Sequence, residues 1–139
     1  IYDKQEQKPT FCSLEGIGKY ILANFLGQTR EKVGVMCLDT KGALLSFEFL
    51  GEGDIASVGL SQRALAKEAL KTNATAVVLC HNHPNGIAVP SDSDISLTEQ
   101  SAKTLSNIGV QLIDHIIVAD TDFVSMAQSE QYGYIFVPS

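Results

Sequence analysis

Residues 75–107, TAVVLCHNHPNGIAVPSDSDISLTEQSAKTLSN, decide the fold predicted for this chain. The stretch begins with a short apolar run, which is typical of a strand buried on both faces. A Pro-Asn-Gly turn follows at residues 84–86. A helix is then expected from Ser91 to about Asn107, with acidic residues in its first turn. Because ligands of α/β sheets commonly lie at the carboxyl ends of strands, the two histidines that end this strand indicate a site.

The flanking sequence predicts further helices and strands. SLEGIGKYILANFLG is expected to be a helix with Ser13 as N-cap and Gly27 as its C-terminal stop. GLSQRALAKEALKTN predicts a second helix, from the N-cap Ser61 to Asn73. KVGVMCLD and ALLSFEFLG predict one β-hairpin, VQLIDHIIVAD and FVSMA a second, and GYIFV an edge strand. This mixture predicts an α/β fold with a central mixed β-sheet flanked by helices.

Composition indicates an ordinary globular protein. The chain has 139 residues, of which 45% are hydrophobic and 19% charged, and its length suits a single domain. We expect an arm or linker over residues 1–12 and the domain over residues 13–139. We expect no membrane association, because no apolar run approaches the roughly 18 residues of a membrane span. The three widely spaced cysteines form no CxxC motif and predict reduced thiols in a cytoplasmic protein. The net charge of −6 disfavours a surface that grips nucleic acid.

His81 and His83 are candidate metal ligands. Residues i and i+2 of a strand point to the same face, so the two imidazoles should emerge side by side if the strand continues through His83. There they can reach one ion, at Zn–N distances of about 2.0–2.1 Å. The alternative is that both histidines only cap the strand and bond to the loop backbone. A third ligand is needed to decide between the two.

Asp92 and Asp94 are the candidates for the third ligand. Ser91-x-x-Asp94 also has the form of a capping box, which is a purely structural role, and the two roles are compatible. Asp92 falls outside the helix face of Asp94 and is expected in solvent. The face of Asp94 is small and apolar and consists of Thr98, Ser101, Ala102 and Leu105. Asp94 is therefore the predicted third ligand. Two histidines and one carboxylate leave a fourth position for water, as in catalytic zinc sites.

Hydrolysis also needs a base, for which several glutamates compete: Glu15, Glu31, Glu48, Glu52, Glu68 and Glu99. Glu68 is expected to face solvent in the middle of a helix, and Glu15 is an ordinary first-turn acid. Glu31 precedes a strand. If that strand runs antiparallel to residues 76–81, its start neighbours the end that carries the histidines. The residues alone leave open whether Glu31 is the base or a solvated charge.

The motif residues resemble a known family. His81-x-His83, then seven residues to Ser91 and two more to Asp94, is similar to the motif of JAMM (JAB/MPN-type) zinc metallopeptidases. HNHPNGIAVPSDSDISLT more closely resembles the RadC-like (UPF0758) branch, as do REKVGVMCLDTKG, SQRALAKEAL and LIDHIIV. The resemblance spans roughly residues 13–131. Asn85 and Ala88 depart from the family's usual Ser and Pro, which affects the shape of the loop rather than the ligands.

The resemblance implies a JAB/MPN-type, cytidine-deaminase-like fold and a zinc ion bound by His81, His83 and Asp94. It implies cleavage of peptide or isopeptide bonds in a peptide or protein substrate, through a metal-bound water with Glu31 as general base. Ser91 would donate a hydrogen bond to the developing oxyanion or hold the loop of the site. RadC-like proteins also carry an N-terminal helix-hairpin-helix region, so this chain is expected to be an excised catalytic domain or a shorter relative.

Two alternatives to a peptidase follow from the same resemblance. RadC-like proteins have carried a DNA-repair label, so the domain would act in DNA processing, with DNA held by the missing N-terminal region. The tripeptide HNH is no support for this alternative, because HNH nucleases take their name from residues scattered over a ββα unit. The other alternative is a metal-stabilised scaffold without catalysis.

Three further residues have structural interpretations. His115 is expected on a strand, with Ile113 and Ile117 on its own face, as a satisfied core or rim residue rather than a ligand. Asp114 would point the other way, to ordinary surface. Cys80 should be a small core residue on the face opposite His81.

Overall fold

The computed structural model describes residues 8–52 and 60–137. Its elements in chain order are α1 (Leu14–Asn24), β1 (Lys32–Leu38), β2 (Leu44–Glu52), α2 (Gln62–Thr72), β3 (Ala76–Asn82), α3 (Asp92–Ser106), β4 (Gln111–Ala119), β5 (Asp122–Ser125) and a 3₁₀-helix (Gly133–Phe136). Residues 1–7 of the predicted arm lie outside the described residues. Within the described ranges, no helix combines the length and the apolar character needed to cross a membrane.

The five strands form one mixed sheet in the order β2-β1-β3-β4-β5. β3 and β4 are parallel and are joined through α3, whereas the β1–β2, β1–β3 and β4–β5 pairs are antiparallel. Val33 pairs with His81, so the start of β1 lies beside the end of β3. The predicted α/β fold with a central mixed sheet is confirmed.

Both faces of the sheet are covered, and β3 shows why. Val77 and Leu79 pack in the cluster that includes α2 and α3 side chains, whereas Val78 and Cys80 pack on the other side with α1. Successive strand residues alternate between faces, so a run without polar residues is what a strand between two helical layers requires. Each such buried aliphatic side chain stabilises the fold by about 1.5–3 kcal/mol. Burial also raises the pKa of the Cys80 thiol, which is a core residue as predicted.

The helix starts follow the predicted caps. Ser13, Ser61 and Ser91 each accept a hydrogen bond from a backbone N–H of the first turn, at 3.1 Å in all three cases. Asn73 ends α2 in the left-handed conformation, with φ of 58°. α1 ends at Asn24, earlier than the predicted stop at Gly27, because a turn intervenes before Gly27 adopts its φ of 80°.

Two predictions about the fold are wrong. GYIFV forms a 3₁₀-helix rather than an edge strand, since the Ile135 N–H donates to the Tyr132 carbonyl and Phe136 turns into the core. Glu68 does not face solvent: only 6% of it is exposed, and it accepts a hydrogen bond of 2.8 Å from the Ser46 hydroxyl. Its side of α2 packs against β1 and β2, which the helical pattern alone did not reveal.

Candidate metal centre

The three predicted ligands meet at the carboxyl end of β3. His81 lies near the end of β3, His83 just beyond it, and Asp94 in the first turn of α3. The two histidine Nε2 atoms are 2.7 Å apart. His81 Nε2 lies 3.0 Å from Asp94 Oδ1, and His83 Nε2 lies 3.2 Å from Asp94 Oδ2. These residues form a group that can hold a metal ion.

The donor set and its burial fit a divalent cation. The side chains of His81, His83 and Asp94 are 0%, 14% and 2% exposed. A buried carboxylate is costly unless it is paired, and an ion shared with two imidazoles meets that need. Tetrahedral zinc with bonds of about 2.0–2.1 Å holds its ligand atoms roughly 3.3 Å apart. The observed separations of 2.7, 3.0 and 3.2 Å would need to open by roughly 0.1–0.6 Å to hold such an ion.

His115 orients His81 from behind. The His81 Nδ1 and His115 Nε2 atoms are 2.7 Å apart, and His115 Nδ1 lies 2.6 Å from the Thr98 hydroxyl. That hydroxyl donates to the Asp94 carbonyl at 2.6 Å, so it accepts from His115 Nδ1–H. His115 Nε2 then accepts from His81 Nδ1–H. This order of donors leaves the lone pair of His81 Nε2 directed at the shared point, as a metal ligand requires.

His115 is therefore buried and satisfied, as predicted, but it is also part of the centre. Burial lowers its pKa well below the ordinary histidine value, with the neighbouring His81 acting in the same direction. A neutral imidazole is the form that can accept from His81 while donating to Thr98. The sequence signals were the spacing of Asp94 and Thr98, one helical turn apart, and a histidine in the next strand. Neither signal identifies the contact.

The Pro-Asn-Gly turn holds His83. The Nδ1 atom of His83 lies 2.7 Å from the Ile87 carbonyl oxygen. His83 Nε2 therefore faces the point that it shares with His81 and Asp94. Gly86 adopts a φ of 84° and donates its N–H to the His83 carbonyl at 3.0 Å. A Cβ at Gly86 would also lie 2.9 Å from Asp120 Oδ2. Glycine is thus required both by the backbone conformation and by the close approach of the β4–β5 turn.

Asp94 has the structural and the ligand-like role together. The Ser91 N–H donates to Asp94 Oδ2 at 2.8 Å, and the Asp94 N–H donates to Ser91 Oγ at 3.1 Å, which is the predicted capping box. Asp92 is exposed, as expected. The cap therefore orients the carboxylate that faces the two histidines.

The electrostatics of the group reflect this convergence. Burial alone raises the pKa of the Asp94 carboxyl, but hydrogen bonds to His81 and His83 outweigh burial and hold that pKa below its usual range. The same contact with Asp94 raises the pKa of His83 above the ordinary histidine value, against the opposing effect of burial. Without an ion, the Asp94 carboxylate favours the protonated form of His83. A cation would take the place of that proton.

A cavity of about 350 Å³ opens beside the group. Its lining includes His83, Asp94, Glu31 and Ser91, together with the loop residues Pro84, Asn85, Ile87 and Val89. Among the glutamates of the described residues, Glu31 is the one on this wall, and its charge contributes to the raised pKa of His83. The antiparallel pairing of β1 and β3, which was the condition for placing Glu31 beside the histidines, is present. Catalytic roles for Glu31 and Ser91 stay predictions.

Asp114 is not on the surface, contrary to prediction. It is completely buried and accepts from the Ser125 hydroxyl at 2.6 Å and from the Ala127 N–H at 2.9 Å. Asp114 points away from His115, as predicted, but that face of the sheet is covered too, since its β3 partner Val78 packs in the cluster with α1. The pairing of β3 with β4 shifts between Val77 and Val78, which leaves Ile113 without a partner in that register. Ile117 therefore shares the face of His115, as predicted, whereas Ile113 packs in the cluster on the opposite face.

Comparison with known proteins indicates the family of this chain. A family model described as RadC-like JAB domain matches residues 11–132. A UPF0758 protein of Marinomonas sp. strain MWYL1 is 39% identical over 128 residues, which cover 92% of this chain and 57% of that protein. A UPF0758 protein of Azotobacter vinelandii is 36% identical with the same coverage. The chain thus spans a little over half the length of these curated relatives.

Proposed function

The chain belongs to the RadC-like JAB domain family, and from that premise we propose that it is a zinc-dependent hydrolase of the JAMM type that cleaves peptide or isopeptide bonds. One observation carries the proposal: His81, His83 and Asp94 converge on one point at the wall of a cavity that Glu31 also lines. The wider JAB domain superfamily includes metallopeptidases, and the three groups are a donor set typical of catalytic zinc.

The ion would supply a Lewis acid that polarises a carbonyl and lowers the pKa of water towards neutrality. The chain's own residues supply the proton transfers. Glu31 takes one proton from the attacking water and passes it to the leaving amine as the C–N bond breaks, so its carboxylate is regenerated. Ser91 lies on the same wall, where its hydroxyl would donate to the developing oxyanion.

The substrate proposed is a peptide or a protein. The cavity is open, and its rim carries the exposed apolar side chains of Ile87 and Val89 beside the carboxylates. That combination of an apolar rim and a few convergent polar groups suits an extended peptide. The net charge of −6 makes this domain a poor match for a phosphate backbone, so nucleic acid is the weaker candidate.

Zinc analysis combined with substrate profiling tests the proposal. The purified protein should hold about one zinc per chain, and the wild type should cleave members of a peptide and isopeptide library. Glu31→Gln should keep the zinc but lose activity by about 10²–10⁴-fold, the usual contribution of a general base. Glu99→Gln, an exposed α3 residue, is the matched control and should leave turnover unchanged.

The alternatives give different results in the same preparation. Bound zinc without turnover of any library member would support the metal-stabilised scaffold. Tight binding of duplex or single-stranded DNA at low salt, without peptide cleavage, would support the DNA-processing role. Equal activity of Glu31→Gln and wild type would remove Glu31 from the mechanism.

A further inference from the structure

The residue between the two histidines, Asn82, contacts the segment that carries Glu31. Asn82 Oδ1 accepts from the Lys32 N–H at 2.7 Å, and Asn82 Nδ2 donates to the Arg30 carbonyl at 3.0 Å. One carboxamide therefore bonds to the peptide groups on both sides of Glu31. Asn82 is itself only 5% exposed, so these bonds are shielded from competing water.

We infer that Asn82 is a positioning residue that holds Glu31 at the metal centre. The inference rests on the proposed function for the role of Glu31, and it adds a residue that joins the base to the ligand strand. β3 ends at Asn82, and Val33, which pairs with His81, is the first β1 residue that pairs with β3. The Asn82 side chain continues that pairing one step further, to the backbone around Glu31.

The chemistry of the contact requires a side chain that both donates and accepts. Asn presents a carbonyl oxygen and an NH₂ group in one plane, which matches one backbone donor and one backbone acceptor two residues apart. An aspartate of the same shape would keep the bond from Lys32 but would face the Arg30 carbonyl with a second acceptor. An alanine would lose both bonds.

This fixed connection matters because general-base catalysis depends on distance. The ligands His81 and His83 flank Asn82 directly in the chain. A movement of the ligand strand is therefore transmitted to the Glu31 backbone through two hydrogen bonds. Displacement of a catalytic group by about 1 Å can cost on the order of 10²-fold in rate. Asn82 thus holds Glu31 at a fixed distance from the metal ligands.

The first test measures the contact without any turnover. In Asn82→Ala, the Lys32 amide should exchange with solvent about tenfold faster, the equivalent of one lost hydrogen bond. In the wild type, the NMR chemical shift of the Glu31 side-chain carboxyl carbon should change when zinc is added. In the variant, this change should fall to less than about half if the carboxylate is no longer held. Val78→Ala is the matched control, a truncation on the same strand whose side chain packs on the sheet face opposite the ligand His81.

The second test is a double-mutant cycle in turnover. Asn82→Ala should lower kcat by about 10–100-fold, with KM and zinc affinity changed less than about twofold. In the Glu31→Gln background, Asn82→Ala should cause no further loss, because it acts through Glu31. Should Asn82→Ala fail to fold, Asn82→Asp replaces it, with normal Lys32 exchange but a weakened response of Glu31 to zinc.

The outcomes separate this inference from the proposed function. The positioning role of Asn82 is overturned, even in an active enzyme, if Asn82→Ala leaves the zinc-induced chemical-shift change of Glu31 as in the wild type. It is also overturned if Asn82→Ala lowers kcat equally in the wild-type and the Glu31→Gln backgrounds. Loss of zinc affinity in Asn82→Ala also overturns it, because Asn82 would then act on the ligands. A wild type without turnover overturns the proposed function alone, while the zinc response of Glu31 still decides the role of Asn82.

Discussion

Asp94 and Asp114 are both buried carboxylates, with 1% and 0% of their surface exposed, yet their pKa values shift in opposite directions. The partners of Asp114 are neutral: a hydroxyl and two backbone N–H groups. Burial outweighs them and raises the pKa of Asp114. The carboxylate of Asp94 contacts two imidazoles as well as its cap, and these contacts overcome burial and lower its pKa.

The difference shows what separates a candidate site from a structural anchor. Asp114 joins β4 to the segment after β5, and all its contacts are ones that a neutral amide could also make. Asp94 meets groups that can themselves change protonation and that share one point in space. Burial or hydrogen bonding alone would not distinguish the two aspartates. The chemical nature of the partners does, and each prediction below tests that distinction.

The largest effect is expected from removing the negative ligand. Asp94→Asn keeps an oxygen for the Ser91 N–H but replaces the charged ligand with a neutral one. Zinc affinity should fall by more than about 100-fold, beyond the roughly 10–100-fold cost of losing a residue that only orients a ligand. Asp114→Asn is the matched control and should bind zinc within about twofold of wild type. Competition titration with a zinc chelator measures both. Equal losses would mean that the comparison between the two aspartates is mistaken.

A smaller loss of zinc affinity is expected when His115, the residue that contacts the ligand His81, is replaced. His115→Phe keeps a ring but removes the acceptor for His81 Nδ1–H, so His81 is free to rotate or change tautomer. Zinc affinity should fall by about 10–100-fold. Ile116→Val, at the neighbouring residue on the other sheet face, should cost about 0.5–1.5 kcal/mol of stability with no change in zinc affinity. Wild-type affinity in His115→Phe would show that the bond from His115 does not orient His81.

Much of the centre was predictable because its determinants are local. The i, i+2 spacing of His81 and His83 at the end of a strand and the cap formed by Ser91 and Asp94 both act over a few residues. The placement of Glu31 needed one additional inference, the antiparallel pairing of β1 with β3. The sequence could state that pairing only as a condition; the structure has it, and Glu31 lines the same cavity.

The rest depends on contacts between distant segments. Whether His115 contacts His81 depends on the register of β3 and β4, and the irregularity near Ile113 is not visible in the alternation of polar and apolar residues. Asp114 was assigned to the surface because the alternation does not show that the face opposite His115 is covered as well. Asn82 left no sequence signal, because its two partners are backbone groups some fifty positions earlier in the chain. Backbone partners carry no side-chain identity that a pattern could show.

The free energy of unfolding should differ between Asp114→Ala and Asp114→Asn. Asp114→Ala leaves the Ser125 hydroxyl and the Ala127 and His115 N–H groups without their buried acceptor. We expect a loss of about 2–3 kcal/mol in the free energy of unfolding, since each group left unsatisfied costs on the order of 1 kcal/mol or more. Asp114→Asn can accept both N–H bonds and donate to Ser125, so its change at pH 7 should stay within about 1 kcal/mol. Urea unfolding measures both, and equal losses would mean that the charge of Asp114 stabilises the fold.

The smallest effect is the pH dependence that distinguishes Asp114 from its amide. Because its native pKa is raised, the protonated carboxyl favours the folded state. The stability it contributes is fully present below the ordinary aspartate pKa of about 3.9 and is lost as pH rises through the native pKa. The free energy of unfolding of wild type minus that of Asp114→Asn should therefore decrease as pH rises from about 3.5. Taking the difference cancels the other carboxyl groups, whose titration the two proteins share. A difference that increases with pH would place Asp114 with Asp94, as a carboxylate stabilised by positive charge, and would remove the contrast between the two regions.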